Sequence, residues 1–127
     1  MYVSNKAIAV NASGRVLMMR LKNGKDDLPG GRMDAGEGIQ EGLRRELREE
    51  IGVDVDTSGL QPFHAARRHY GSMDEWVACL AFVVPVGDID VTLSPEHVGF
   101  DWIDAWTTTS NVPEIEEVME AYRKIAR

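Results

Sequence analysis

The sequence is poor in cysteine and in long apolar runs. Its only cysteine among 127 residues, Cys79, allows no disulfide within the chain, and its apolar surroundings predict a buried, unreactive thiol. A reducing cytoplasm is the simplest expected location. The first six residues contain no apolar core of the kind that a secretion signal needs. The longest apolar run, Val77 to Val86, is too short to cross a bilayer, so we expect no membrane association.

Positive charge is also scarce. Fourteen Lys and Arg residues stand against 21 Asp and Glu residues, the formal net charge is -7, and no basic run exceeds two residues. Since basic surfaces provide most of the affinity for phosphate backbones, polymeric nucleic acid is not an expected partner. A small polyanion is compatible with this composition if metal ions screen its charge.

Several metal and nucleotide motifs are absent as well. The sequence has no His-Glu-x-x-His pair, no cysteine and histidine cluster, no EF-hand loop and no Gly-x4-Gly-Lys-Ser/Thr loop. These absences exclude zinc hydrolases of that type and P-loop nucleotide hydrolases.

The hydrophobic patterns predict strands, a helix, further strands and a second helix in one domain spanning residues 1–127. Lys6 to Val10 and Arg15 to Leu21 flank the turn sequence Asn11-Ala12-Ser13-Gly14 and predict a hairpin. Lys22 to Gly36 is predicted as a loop. Further strands are predicted at 60–70, 75–86 and 98–103, and helices at 38–51 and 114–125. The first helix is predicted to end at Gly52 and to have an apolar stripe of Ile39, Leu43, Leu47 and Ile51, and Pro113 fits the first position of the second helix. This order predicts an α/β (α+β) fold, with a mixed sheet between helices.

The first predicted helix carries acidic residues where its own electrostatics disfavour them. Positions i, i+3 and i+4 share a helix face, so Glu46, Glu49 and Glu50 converge near the C-terminal end. That end carries about half a negative charge. Gly38 and Gly42 lie on the same face, although glycine inside a helix costs about 1 kcal/mol relative to alanine, which predicts a close approach by the preceding loop or a phosphate. Converging carboxylates are typical of a site for a hard cation, Mg²⁺ first and Mn²⁺ as a substitute.

The segment before this helix extends the pattern. Residues 28–53 read LPGGRMDAGEGIQEGLRRELREEIGV, and from Gly31 the spacing is Gly-x5-Glu-x7-Arg-Glu-Leu-x-Glu-Glu-x-Gly-Val. Residues 31–53 resemble, at every defined position, the signature of the Nudix hydrolase family, and Leu-Pro-Gly-Gly resembles its usual lead-in. The signature covers about a fifth of the chain. The order of elements around it is also similar to that family.

The resemblance implies an α/β/α sandwich that hydrolyses a nucleoside diphosphate linked to another group with a divalent metal. By the same resemblance, the metal ligands would be Glu46, Glu49, Glu50 and the backbone carbonyl of Gly30. The structural positions of the signature would be Gly31, Glu37, Arg45 and Gly52, with Glu37 and Arg45 pairing to fix the loop against the helix. One departure is mild, since Asp34 stands where many members have Glu.

The expected mechanism is in-line attack of water at phosphorus, with the metal neutralising the pyrophosphate and a carboxylate taking the proton. Two candidates for that carboxylate stay open. One is Glu49 in the helix, and the other is Glu96, because many members use an acid outside the signature. A turn or helix-start acid is the alternative reading of Glu96, and a packing or surface role is expected for the neighbouring His97.

The substrate is predicted less specifically. Candidates for substrate binding are Arg20, Arg32, Arg67 and Tyr70, each of which could equally be a solvated or packed side chain. A small nucleoside triphosphate-type substrate is expected. Nucleotide sugars and dinucleoside polyphosphates fit the same signature, and a catalytically silent nucleotide-binding module is a further alternative. Homodimers are frequent in the family, but no patch in this sequence indicates one.

Overall fold

The computed structural model describes residues 2–70 and 74–126, and it contains a mixed sheet between two helices. The strands are Tyr2–Val10 (β1), Val16–Leu21 (β2), Asp26–Asp27 (β3), Gly30–Arg32 (β4), His64–Tyr70 (β5), Glu75–Pro85 (β6) and His97–Ile103 (β7). The helices are Ile39–Ile51 (α1) and Pro113–Ile125 (α2). Within the described residues, no helix has the length and hydropathy of a transmembrane span.

Strand β1 lies at the centre of the sheet. It pairs in parallel with β6 along its whole length, from Tyr2 opposite Val77 to Val10 opposite Pro85. All other pairings are antiparallel: β2 and β4 pair with β1, β3 and β7 with β2, and β5 with β6. The sheet is therefore mixed, as predicted. The predicted hairpin is present between β1 and β2.

The core has two halves because successive residues of β1 point to opposite sides. Ala7 and Ala9 pack in a cluster with Leu43, Leu47 and Ile51 of α1. On the other side of the sheet, one cluster combines Ile8 of β1 with Ile115, Val118, Met119 and Tyr122 of α2. These layers form the expected α/β/α sandwich, with α1 and α2 on opposite faces.

The structure corrects three of the sequence predictions. The loop predicted from Lys22 to Gly36 contains two short strands, β3 and β4, whose pairings are with distant parts of the chain. The predicted buried thiol of Cys79 is partly exposed and accepts a hydrogen bond from Ser4 Oγ at 3.5 Å. Ile39, expected in the apolar stripe of α1, is 38% exposed. Residues 71–73 of the predicted second hairpin turn lie outside the described residues.

Candidate active site

Helix α1 ends at a residue that reverses the chain and lets a distant segment reach its last turn. Gly52 adopts the left-handed conformation with φ 72°, the expected helix stop, and its N–H donates to Arg48 O at 3.1 Å. The last carbonyls of the helix accept hydrogen bonds from the segment before β7. Thr92 N–H donates to Ile51 O at 3.0 Å, and Ser94 N–H donates to Glu50 O at 3.1 Å. The 92–97 segment is thereby held against the acidic end of α1.

The three carboxylates of this helix end differ in exposure. Glu46 and Glu50 are buried at 8% exposure each, whereas the side chain of Glu49 is 59% exposed. Burial raises the pKa of both buried groups, that of Glu50 to about 8, although Lys6 opposes both shifts and Arg45 opposes that of Glu46. The positive charge near these carboxylates is therefore too small to offset the cost of their desolvation. A bound divalent cation would offset that cost.

Two glycines allow the preceding loop to lie directly on this helix face. A Cβ at Gly31 would stand 2.8 Å from Glu46 Oε2, and a Cβ at Gly42 would stand 2.8 Å from Glu37 Oε1. A side chain at either position would therefore displace the neighbouring glutamate carboxylate. The close approach predicted for Gly42 is present. At Gly38, by contrast, a Cβ would meet only Glu41 Cβ at 3.9 Å, so Gly38 serves as the extended residue before the helix.

Arg45 ties the loop to the helix through several hydrogen bonds. Its Nε and Nη2 donate to the two oxygens of Glu37 at 2.7 and 3.0 Å, which form the pair expected from the signature. Its Nη1 donates to Glu46 Oε1 and Glu49 Oε2, both at 3.0 Å, and Nη2 reaches Arg32 O at 3.2 Å. The hydrogen bonds from Arg45 lower the pKa of Glu37. Arg45 therefore holds Glu46 and Glu49 in fixed positions on the loop side of the helix.

Glu50 faces away from Arg45, toward the backbone of β4 and the inner end of the site. Gly30 N–H donates to Glu50 Oε2 at 3.4 Å, which puts the Gly30 peptide beside this carboxylate. The residues expected to hold a metal thus lie on adjacent elements, Gly30 on β4 and the three glutamates on α1. Their donor atoms are all oxygens, which suits Mg²⁺ or Mn²⁺.

A second group of side chains beside Glu50 was missed by the sequence analysis. His97, read as a packing or surface residue, is buried, and its Nε2 lies 2.9 Å from Asp27 Oδ2. Lys6 Nζ donates to Asp27 Oδ1 at 2.8 Å. One potential metal-ligand atom from each of Asp27, Glu50 and His97 lies within 4.8 Å of the other two. The one available signal was position, since Asp27 directly precedes the Leu-Pro-Gly-Gly segment and His97 directly follows Glu96.

The remaining predicted site residues lie farther from the acidic helix end or form other contacts. Glu96 is exposed and has no hydrogen bond or ion pair with any described residue. Arg20 on β2 pairs with Asp101 at 3.1 Å on an exposed surface. Since Glu96 directly precedes His97, it lies next to the group formed by Asp27, Glu50 and His97. Arg20 lies instead on the surface formed by β2 and β7.

Two of the predicted arginines come together at the end of the sheet where β1 and β6 begin. Arg32 stacks over the ring of Tyr2 at 3.1 Å, and Arg67 stacks over the ring of Trp76 at 4.1 Å. Tyr2, Arg67 and Trp76 line one open groove together with Asp74 and Glu75. The side chain of Tyr70 lies outside the described residues, so its predicted role stays a prediction.

The family of the chain follows from comparison with known proteins. The sequence model of a family described as NUDIX domain matches residues 4–123. The chain therefore belongs to the Nudix hydrolase family, as its signature indicated.

Solved structures of similar fold agree with this assignment. A MutT protein from Methanosarcina mazei Go1 is 23% identical with a TM-score of 0.84, and the match covers 99% of this chain and 95% of that one. The ORF135 protein of E. coli is 22% identical with a TM-score of 0.79, covering 100% and 93%. An Ap4A hydrolase of C. elegans is 16% identical with a TM-score of 0.76, covering 99% and 98%. At these sequence identities, the similarity shows a shared fold.

A curated relative matches a shorter stretch. An octanoyltransferase of Myxococcus xanthus is 36% identical over 84 residues, which are 65% of this chain and 24% of that protein. The match thus spans about a quarter of the length of that relative.

Proposed function

We propose that the protein is a divalent-metal-dependent pyrophosphohydrolase that cleaves a pyrophosphate bond in a small nucleotide. One observation carries the proposal: Glu46 and Glu50 are buried side by side at a helix C-terminus, and burial raises the pKa of both. Such an arrangement costs stability unless a cation binds there. The family acts on nucleoside diphosphates linked to another group, which agrees with a cation that meets phosphate oxygens.

The residues of the chain fit a magnesium ion, with manganese as a substitute. The proposed ligands are Glu46, Glu49, Glu50 and the carbonyl of Gly30. When bound, the metal supplies charge neutralisation at the pyrophosphate and lowers the pKa of a water molecule. Arg45 orients Glu46 and Glu49, and the peptide of Gly30 stays beside Glu50 because β4 is paired with β1.

The proton of the attacking water needs an acceptor, and we assign this role to Glu96. Its carboxylate is exposed and has no partner among the described residues, and the bonds of the 92–97 segment to α1 keep it near the acidic helix end. Glu49, the other candidate, already accepts a hydrogen bond from Arg45. A carboxylate free of such a bond is the better base.

The proposed substrate is of the nucleoside triphosphate type. Arg32 and Arg67 support a binding role, because stacking on Tyr2 and Trp76 holds each guanidinium in place. Arg32 also pairs with Glu75, with Nη2 3.6 Å from Oε2. The fold itself does not choose the substrate. Structures of similar fold include an Ap4A hydrolase and a dihydroneopterin triphosphate pyrophosphohydrolase. The alternatives are dinucleoside polyphosphates and nucleotide sugars, which fit the same signature.

A panel of substrates tests the proposal. The protein is incubated with nucleoside triphosphates, nucleotide sugars and dinucleoside polyphosphates, with Mg²⁺ or with EDTA, and released phosphate and pyrophosphate are measured. We expect Mg²⁺-dependent release from at least one triphosphate and none with EDTA. Binding of a nucleotide without turnover of any compound would instead support a silent binding module. The matched control is Glu96→Gln, which should slow turnover while Mn²⁺ binding to the free protein is unchanged.

A further inference from the structure

Asn5, in the middle of β1, has a buried side chain without a partner. Its exposure is 0%, and neither Nδ2 nor Oδ1 forms a hydrogen bond. In the described part of the chain, these two are the only side-chain nitrogen and oxygen atoms that are fully shielded from solvent and have no hydrogen-bond partner. An unsatisfied buried amide costs free energy, whereas an apolar side chain of the same branched shape would not. A polar group at this position therefore needs an explanation outside the packing of the core.

The strand register shows what the Asn5 side chain faces. Asn5 is directly opposite Gly31 in the antiparallel β1–β4 pair, and residues directly opposite each other point to the same side of a sheet. A Cβ at Gly31 would lie 2.8 to 3.0 Å from the carboxyl atoms of Glu46. Ala7, two residues along β1, packs against α1, which confirms the side. The unpaired amide of Asn5 and the carboxylate of Glu46 thus share one buried face.

Glu46 is in turn only half satisfied. Its Oε1 accepts a hydrogen bond from Arg45, while its Oε2 accepts none from any described residue. A ligating carboxylate has to keep one orientation, and hydrogen bonds from neighbouring groups normally fix it. On the α1 face, Asn5 offers an unused donor beside a buried carboxylate that has an unused acceptor.

We propose that Asn5 is a positioning residue for Glu46. In the metal-loaded protein its Nδ2 donates to the Glu46 carboxylate, directly or through one buried water, and thereby sets the oxygen that faces the cation. The free energy that the amide costs in the metal-free protein is recovered when the cation binds. This inference rests on the proposed function, because it takes Glu46 as a metal ligand.

The test compares metal affinity with stability in Asn5→Leu. Binding of Mn²⁺ is measured without substrate, from the electron paramagnetic resonance of free Mn²⁺, and the melting temperature is measured in EDTA. We expect the dissociation constant for Mn²⁺ to rise about tenfold or more, while the melting temperature stays equal or rises. The matched control is Ser4→Ala, the preceding residue on the opposite side of β1, which should leave Mn²⁺ affinity unchanged.

A double-mutant cycle shows whether Asn5 acts through Glu46. In a Glu46→Gln background, Asn5→Leu should cause no further loss of Mn²⁺ affinity. An additional tenfold loss there, or an unchanged dissociation constant in Asn5→Leu alone, would overturn the positioning role. Absence of Mn²⁺ binding by the unaltered protein would contradict the proposed function instead.

A second pair of variants covers the case in which the leucine variant does not fold. Asn5→Ser and Asn5→Ala leave nearly the same space and differ by one hydroxyl group. The serine variant should bind Mn²⁺ more tightly than the alanine variant, because its hydroxyl can still donate. Equal dissociation constants for the two would contradict the proposal.

Discussion

The two helices contain thirteen residues each and pack on opposite faces of one sheet, yet the pKa values of their buried or paired glutamates shift in opposite directions. On α2, Glu116 accepts hydrogen bonds from Arg123 and from Ser110 N–H, and its pKa is lowered, chiefly by Arg123. On α1, burial raises the pKa of Glu46 and Glu50. The same residue type thus stabilises one helix and costs stability in the other, depending on whether a fixed cationic partner is within reach.

The difference also exists between Glu37, in the loop before α1, and Glu50 in the helix. Glu37 accepts hydrogen bonds from Nε and Nη2 of Arg45, and its pKa is lowered. Glu50 lies on the side away from Arg45, and its pKa is raised by burial, with Lys6 as the main cation that counteracts the shift. Lys6 is itself occupied by Asp27 and by the Leu28 carbonyl. The positive charge that acts on Glu50 is therefore already paired with other groups. This pattern is typical of a site that is completed by a ligand.

The largest expected effect comes from removing charge on the acidic helix. Glu50→Gln should lower kcat/KM for the substrate found in the panel by at least about 100-fold, because a ligand and its charge are lost. The metal-free protein should meanwhile melt at an equal or higher temperature at pH 8. Glu116→Gln is the matched variant on α2, where we expect a lower melting temperature and unchanged activity of the folded protein. Similar behaviour of the two variants would contradict the contrast between the helices.

A smaller effect is expected from breaking the satisfied pair on α2. Arg123 donates to Glu116 and to the carbonyls of Ala105 and Thr108, so Arg123→Ala should reduce the free energy of unfolding by about 2 kcal/mol. Urea unfolding measures this change. The control is Arg44→Ala, whose pair with Asp54 is exposed to solvent, so its loss should reduce the free energy of unfolding much less. Equal losses of unfolding free energy in the two variants would contradict the expected difference between the α2 pair and the exposed pair.

The last effect concerns pH. Glu50 binds its proton more tightly in the folded chain, with a pKa of about 8, than at the ordinary value of 4.5. Its contribution to stability is therefore fully present below pH 4.5 and is lost as the pH rises through 8. In EDTA, the free energy of unfolding should fall between pH 5 and 8 by about 3 kcal/mol more in the unaltered protein than in Glu50→Gln. If the unfolding free energies of the two proteins changed with pH in parallel, the raised pKa of Glu50 would be contradicted.

Local sequence patterns were sufficient for the elements whose signals are local. The apolar spacing of α1, the glycine that ends it and the proline that begins α2 all predicted the helices within a few residues. Strands β3 and β4 could not be predicted this way, because they have two and three residues and form by pairing with distant strands. Length and periodicity carry no information about such pairings.

The same reasoning separates the two parts of the site. The glutamates of α1 and their pairing with Arg45 lie within one segment, so spacing and resemblance were enough to predict them. Lys6, Asp27 and His97 are far apart in the sequence and ordinary in their local settings, and only the sheet brings them together. Asn5 gave no signal at all, since its importance lies in a missing partner.

The hydrogen bonds from the 92–97 segment to the end of α1 limit how this candidate site can be transferred to another protein. Ser94 is fixed to Glu50 O, and only three residues later the ring of His97 must reach Asp27. One residue inserted between these two contacts would displace the ring, whereas an insertion at the exposed Gly87 and Asp88 would leave both contacts intact. A graft of the acidic helix onto another scaffold would therefore have to bring residues 92–97 with it, at their present length.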